Sequence, residues 1–322
     1  MEKRIVQDRA SLLADVAEMY YLEEKKQAEI AKTVGVTRSM ISRMLTEARE
    51  SGIVEIRIQR PLQPDPELEN ALKENFGLKD VFVVVTSHRN GERLTRTLGN
   101  AGAQVLKRYL SPQKTLGLAW GTSISATVDA FEAPGPMPLK VVQLVGAMGA
   151  RNMEYDGHDL VARMAEKLGG EAYYLNAPYL CQNAELAKSL LETKSIRETI
   201  SVGKKTDVAL LGVGTTSPDY SSFYLAGYVT RRELEDLRKS GSIGDVCGLH
   251  FDIQGQPASN DFCERLVSIR RPDLLSIPIR LGVAGGEGKV DAILGALRSK
   301  YVNVLVIDSI TARKVIDLAQ SK

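Results

Sequence analysis

Cysteine, histidine and tryptophan are all scarce, with three, three and one in 322 residues. Cys181, Cys247 and Cys263 are odd in number and scattered, with no Cys-x-x-Cys spacing. That argues against a disulfide scaffold and a cysteine zinc site, and free buried thiols are expected. His88, His158 and His250 show no metal-ligand spacing, so no metal is expected. No apolar run approaches the length of a membrane span. The N-terminal MEKRIVQDRA carries charges and no apolar signal-peptide core. A cytoplasmic protein with no membrane partner is the expectation. Neither sign of charge prevails (net +2), so only the distribution of charge speaks about nucleic acid. Internal repeats and low-complexity tracts are missing. A hydrophobic content of 43% is that of a folded chain, and the length suits two domains.

What is there begins near the front. Residues 27 to 45 read QAEIAKTVGVTRSMISRML, two short helices joined by a turn at Gly35. Ile30 and Ala31 give the first helix an apolar face; Met40, Ile41, Met44 and Leu45 give one to the second. Thr37 stands where an N-cap belongs. Between the apolar positions lie Arg38, Ser39, Ser42 and Arg43, side chains that reach phosphates or base edges. From Arg38 to Arg49 three arginines stand against one carboxylate, Glu47. A helix-turn-helix presents its second helix to the major groove in this way. Gln27, Thr37, Arg38, Ser39, Ser42 and Arg43 form the expected DNA-binding set. The competing reading is a helical hairpin that only packs. The Gly35 turn, the Thr37 cap, the polar outer face and the N-terminal placement count against it.

An amphipathic helix over residues 11–22 would complete a three-helix head. Val54, Ile56 and Ile58 alternate with Glu55 and Arg57, predicting a strand and hence a winged variant. Pro61, Pro64 and Pro66 then stop both helix and central strand. The expected domains are therefore 1–60 and 61–322. Residues 67–76 read as a helix, a connector suited to packing on its counterpart in a second subunit. From Lys79 onward continuous apolar strands alternate with helices, which predicts an α/β domain with a doubly wound, mainly parallel sheet.

Ligands of such sheets bind at the carboxyl ends of the strands. Three predicted strand ends carry glycine: Gly121-Thr122-Ser123, Gly212 to Thr216, and Gly282 to Lys289. Glycines allow close backbone approach to an anion, and amides at a helix N-terminus attract one. Together they point to a phosphorylated ligand, although any one loop alone is better explained as a structural turn. No loop matches a Walker A or a dinucleotide fingerprint, so no cofactor is expected. No Gly-x-Ser-x-Gly elbow or nucleophile–base pair is present, so no catalytic residue is assigned. Asp156 or Asp159 caps the helix that follows or holds a sugar hydroxyl. Arg231 and Arg232 open a charged helix, where a solvated role is expected for at least one.

The head, KKQAEIAKTVGVTRSMISRMLTEARESGIVEIRI, is similar to that of the SorC/DeoR-type sugar-responsive transcriptional regulators. LGLAWGTSISATV, VVQLVGAMG, ALLGVGT, GDVCGLHFDIQG and LGVAGGEGKVDAILGAL resemble their effector domain in order. The resemblance implies an effector domain like the sugar-phosphate isomerase and deaminase folds, without the catalysis. It implies a phosphorylated sugar effector, assembly to a dimer or to a tetramer built from dimers, and operator DNA with palindromic or repeated half-sites. By position, Gly121, Thr122, Ser123, Gly285, Gly286 and Lys289 would hold the phosphate. Asp156, Arg231, Asp245 and His250 would line the sugar end. The rival reading is a sugar-phosphate isomerase or deaminase fused to a DNA-binding head, with Asp156 or Asp245 as general base.

Overall fold

The computed structural model describes residues 2–54, 56, 61–149, 155–258 and 260–321. It divides into two compact units, Met1–Pro61 and Leu62–Lys322.

The first unit holds α1 (Glu2–Tyr21), α2 (Gln27–Val34) and α3 (Arg38–Glu50). Leu13, Val16 and Ala17 of α1 meet Ile30 and Ala31 of α2 and Ile41, Met44, Leu45 and Ala48 of α3 in one small core. The turn between α2 and α3 needs a left-handed residue, and Gly35 supplies it at φ 76°, its amide donating to Ala31 O. Met40 departs from the expected apolar face: it is 44% exposed, because the α3 stripe runs through Ile41, Met44, Leu45 and Ala48. The expected wing strand over Val54–Ile58 lies mostly outside the described residues.

The second unit runs α4 (Pro66–Phe76), β1 (Asp80–Val84), α5 (Glu92–Tyr109), β2 (Thr115–Leu118), α6 (Thr122–Ala130), β3 (Lys140–Gln143), α7 (Gly157–Leu168) and β4 (Glu171–Tyr173). It continues through α8 (Ala184–Glu192), α9 (Lys194–Gly203), β5 (Val208–Leu211), β6 (Gly214–Thr215), α10 (Ser222–Leu225), α11 (Arg231–Lys239), β7 (Gly244–Val246) and β8 (Leu249–Phe251). It ends with α12 (Asp261–Glu264), α13 (Arg271–Ser276), β9 (Ile279–Val283), α14 (Val290–Arg298), β10 (Val304–Asp308) and α15 (Ser309–Ser321).

Seven strands form one parallel sheet in the order β1-β10-β9-β5-β2-β3-β4. β2, β5 and β10 are buried at every position because both faces of the sheet are covered there. Ala209, Leu211, Leu305 and Ile307 enter the core on one face with α14 and α15. Val208, Leu210, Val304 and Val306 enter the other with α5, α6 and α7. From β2 the chain steps outward through β3 to β4, then returns to β5 on the opposite side of β2. The winding therefore reverses between β2 and β5, which opens a crevice at their carboxyl ends.

Two features depart from the sequence reading. Leu68 and Leu72 of α4 are buried in this unit, with α4 packed on β1 and α15, so that apolar face is already covered within the chain. The irregular stretch after β5 contains a second, antiparallel sheet, β6-β7-β8.

Candidate functional site

The crevice between β2 and β5 contains a cavity. Residues 119–124 and 212–216 line its walls, Asp245, Cys247 and His250 come from the antiparallel sheet, and Ser222 and Phe223 from α10; Lys289 stands at the start of α14. Its volume is about 70 Å³, room for a few waters and well below the several hundred Å³ of a typical ligand pocket. A second cleft adjoins it, sharing Thr122, Ser123, Ser222 and Lys289 and adding Asn90, Gly91, Tyr220, Gly285 and Gly286.

Each polar group has a local cause for its position. Gly121 precedes α6 at φ 128°, a conformation that side chains disfavour. The first intrahelical bond of α6 runs from Ser125 N to Gly121 O, which leaves the amides of Thr122, Ser123 and Ile124 without helical carbonyl partners. Two hydroxyls and an electropositive helix end thus meet at the cavity. Asp245 on β7 pairs across the small sheet with both Gly214 and His250. Its Oδ2 accepts from Gly248 N at 2.9 Å. Its Oδ1 lies over Gly214, where an added Cβ would come within 2.0 Å of it.

His250 is buried, with Nδ1 and Ser242 Oγ 2.9 Å apart. Burial lowers its pKa, opposed in part by the Asp245 carboxylate, and holds the ring neutral. Lys289 donates from Nζ to Val213 O at 2.9 Å. Burial presses its ammonium below the ordinary lysine range, and Asp245 opposes that shift. Burial also pushes the Cys247 thiol well up, so it is no nucleophile. An aromatic wall closes the remaining side: Trp120 to Phe223 at 5.8 Å and Tyr179 to Phe223 at 5.3 Å between centroids.

Gly121, Thr122, Ser123, Asp245, His250 and Lys289 are therefore brought together. Asp156 and Arg231 are not among the residues lining the cavity. Asp156 is the N-cap of α7, its carboxylate accepting from His158 N, Met148 N and Gly149 N. Those bonds engage both oxygens and fit Asp156 to holding the Met148–Gly149 backbone against the start of α7. Arg231 begins α11 with its side chain 78% exposed and paired to Glu235 one turn on. Gly285 and Gly286 line the adjoining cleft instead. The Gly286 amide already donates to Asp308 Oδ2 at 3.0 Å and Thr311 Oγ1 at 2.9 Å.

Trp120, Ser222, Phe223 and Cys247 line the cavity without having been named as site residues, while Thr215 and Thr216 close the Gly212 to Thr216 strand end that the sequence had marked. Ser222 and Phe223 sit in a segment without periodicity, and nothing in the sequence marked them.

In the head, Thr37, Arg38, Ser39, Ser42 and Arg43 are all exposed, and Gln27 at the first position of α2 is half-buried. Thr37 Oγ1 accepts from Met40 N at 3.3 Å and lies 3.0 Å from Ser39 Oγ. It orients the first turn of α3 rather than standing free.

Residues 60–317 match the family described as "Putative sugar-binding domain". The chain is 30% identical over 307 residues to the "Sorbitol operon regulator" of Klebsiella pneumoniae, covering 95% of this chain and 97% of that protein. It is 29% identical over 310 residues to the "Deoxyribonucleoside regulator" of Bacillus subtilis (strain 168), covering 96% and 98%. The solved full-length sorbitol operon regulator SorC from Klebsiella pneumoniae superposes with a TM-score of 0.72 at 29% identity, covering 96% of this chain and 99% of that one.

Proposed function

The chain belongs to the SorC/DeoR-type family of transcriptional regulators with a sugar-binding domain, and on that premise we propose that a phosphorylated sugar, held across the β2/β5 cavity and the cleft that adjoins it, controls its affinity for operator DNA. The single observation that carries this reading is the pairing of chemistries in one crevice. Lys289 with the Thr122 and Ser123 hydroxyls and the α6 amides suits a phosphate; Asp245 and His250, on the small sheet, suit sugar hydroxyls. Trp120 and Phe223 offer an apolar face for the C–H side of a sugar.

The head is the output. Arg38, Ser39, Ser42 and Arg43 lie on the exposed side of α3, placed to enter a major groove, with Thr37 orienting the first turn and Gln27 opening α2. Phosphate contacts then supply affinity and salt dependence, base contacts specificity. The effector acts only if it binds two arrangements of the protein unequally. Self-association to a dimer or tetramer would set the spacing of the heads on palindromic or repeated half-sites; light scattering across protein concentration tests that. Among the described residues no helix is long and apolar enough to cross a membrane.

We infer regulation without turnover, because the relatives that match over nearly the full chain are named as regulators and the carboxylate of the rival enzyme reading, Asp245, has one oxygen tied to Gly248 N. A thermal-shift screen of ribose, deoxyribose and hexosamine phosphates tests both parts. Stabilisation by one of them without its consumption is the expected result. Steady turnover of any would overthrow the regulator-only reading, and indifference to all would remove the phosphosugar.

A further inference from the structure

Glu47 is the one carboxylate in the middle of α3, one helical turn beyond Arg43. Residues four apart on a helix lie about 5–6 Å apart at Cβ, so Glu47 is placed to pair with Arg43. Such a pair would neutralise the arginine and set a negative charge beside the DNA phosphates. In the structure it does not form. Arg9 of α1 reaches across instead, donating from Nε to Glu47 Oε1 at 3.2 Å and from Nη2 to Oε2 at 2.6 Å. Both carboxylate oxygens are taken by a planar fork that matches them. Arg43, on the same exposed face, has no ion pair or side-chain hydrogen bond among the described residues.

We propose that Arg9 is a positioning residue for DNA binding: by holding Glu47 against α1 it leaves Arg43 unpaired and the groove-facing side of α3 positive. This rests on the reading of α3 as the element that enters the groove. A purely structural role explains the pair less well. Side chains 43% and 44% exposed form a tie between α1 and α3 that water and salt largely screen, while the apolar core already joins the same helices. The electrostatic consequence bears on DNA directly, because it decides whether an arginine and a carboxylate on the recognition face are seen separately or as a neutral pair.

The test uses the full-length protein and a duplex enriched by the wild type from a randomised DNA pool. Arg43→Ala should weaken binding by about tenfold, the loss of one base or phosphate contact. Arg9→Ala should weaken it by about twofold, because the freed Glu47 can pair with Arg43 one exposed turn away. Glu47→Gln alone should stay close to wild type. The double variant Arg9→Ala/Glu47→Gln should recover most of the affinity lost in Arg9→Ala. Failure of the wild type to enrich any duplex, or an unchanged Arg43→Ala, removes the groove reading itself. If Arg43→Ala binds weakly while Arg9→Ala binds normally, the groove reading survives and the role of Arg9 is refuted. If Arg9→Ala is weak and the double variant stays weak, Arg9 touches DNA directly or supports the fold, and the proposal is again overturned.

Discussion

Replacing Lys289 by methionine separates what this side chain does for the ligand from what it does for the fold. Methionine keeps the length and most of the volume while removing the charge and the donor. In the free protein the loss is one hydrogen bond, Nζ to Val213 O at 2.9 Å, worth about 1 kcal/mol. It is offset by removing an ammonium whose burial disfavours its charged form. The melting temperature should therefore move by no more than about 4 °C. Ligand binding should respond very differently. A hydrogen bond to a charged group contributes roughly 1.5–3 kcal/mol, so affinity should fall about 10- to 150-fold. Trp120 is the only tryptophan and lines the same cavity, so its fluorescence follows a titration with whichever sugar phosphate stabilises the wild type most. The pH dependence adds a second signature. The folded-state pKa of Lys289 lies below the ordinary 10.5, so the unfolded chain binds more protons across that interval. Wild-type stability contains a component that rises with pH through the interval and levels off above 10.5, and the methionine variant lacks it. Affinity for the phosphate falls over the same range as the ammonium is lost. Equal affinities in the two proteins, within about twofold, would refute the assignment of Lys289 to the ligand.

Three further outcomes follow from other contacts. Gly214→Ala would drive a methyl against Asp245 Oδ1 and turn the carboxylate out of its place; sugar-phosphate binding should be lost, at a stability cost of about 1–3 kcal/mol by urea denaturation. Thr37→Val removes the hydroxyl that caps α3; the head should lose about 0.5–2 kcal/mol, read as lower helical protection in hydrogen exchange, while the effector unit keeps its own. Asp308→Ala strips the partner from the buried Thr311 amide and leaves that of Gly286 with Thr311 Oγ1 alone; the expected cost of about 1–3 kcal/mol for the one orphaned amide should appear as a lowered melting temperature, and an unchanged one would refute this account of the loop.

The α2–α3 pair and the parallel sheet were legible in the chain because each rests on a local periodicity. Ile41, Met44 and Leu45 repeat at helical spacing, and Val208 to Leu211 or Val304 to Ile307 are apolar without a break. The small sheet was not legible. β6, β7 and β8 are two or three residues long, too short for alternation to emerge, and they are defined by pairing with one another. Asp156 shows the limit for sites. Its capping role could be read from its position before α7, but its extra bonds to Met148 and Gly149 depend on a loop eight residues away folding back onto it.

By itself, then, the sequence determined which segments bury which faces, where the prolines break the chain, and which strand ends carry glycine and hydroxyl groups. Those properties belong to neighbours along the backbone. Only the tertiary structure decided that the loops after β2 and β5 meet at the reversal of the winding. It placed Asp245, His250 and Lys289 in the same crevice and left Arg231 in solvent, and it gave Glu47 to Arg9 rather than to Arg43. The reason is physical: burial, a lowered lysine pKa or a shared carboxylate is a property of atoms near in space and far apart in sequence.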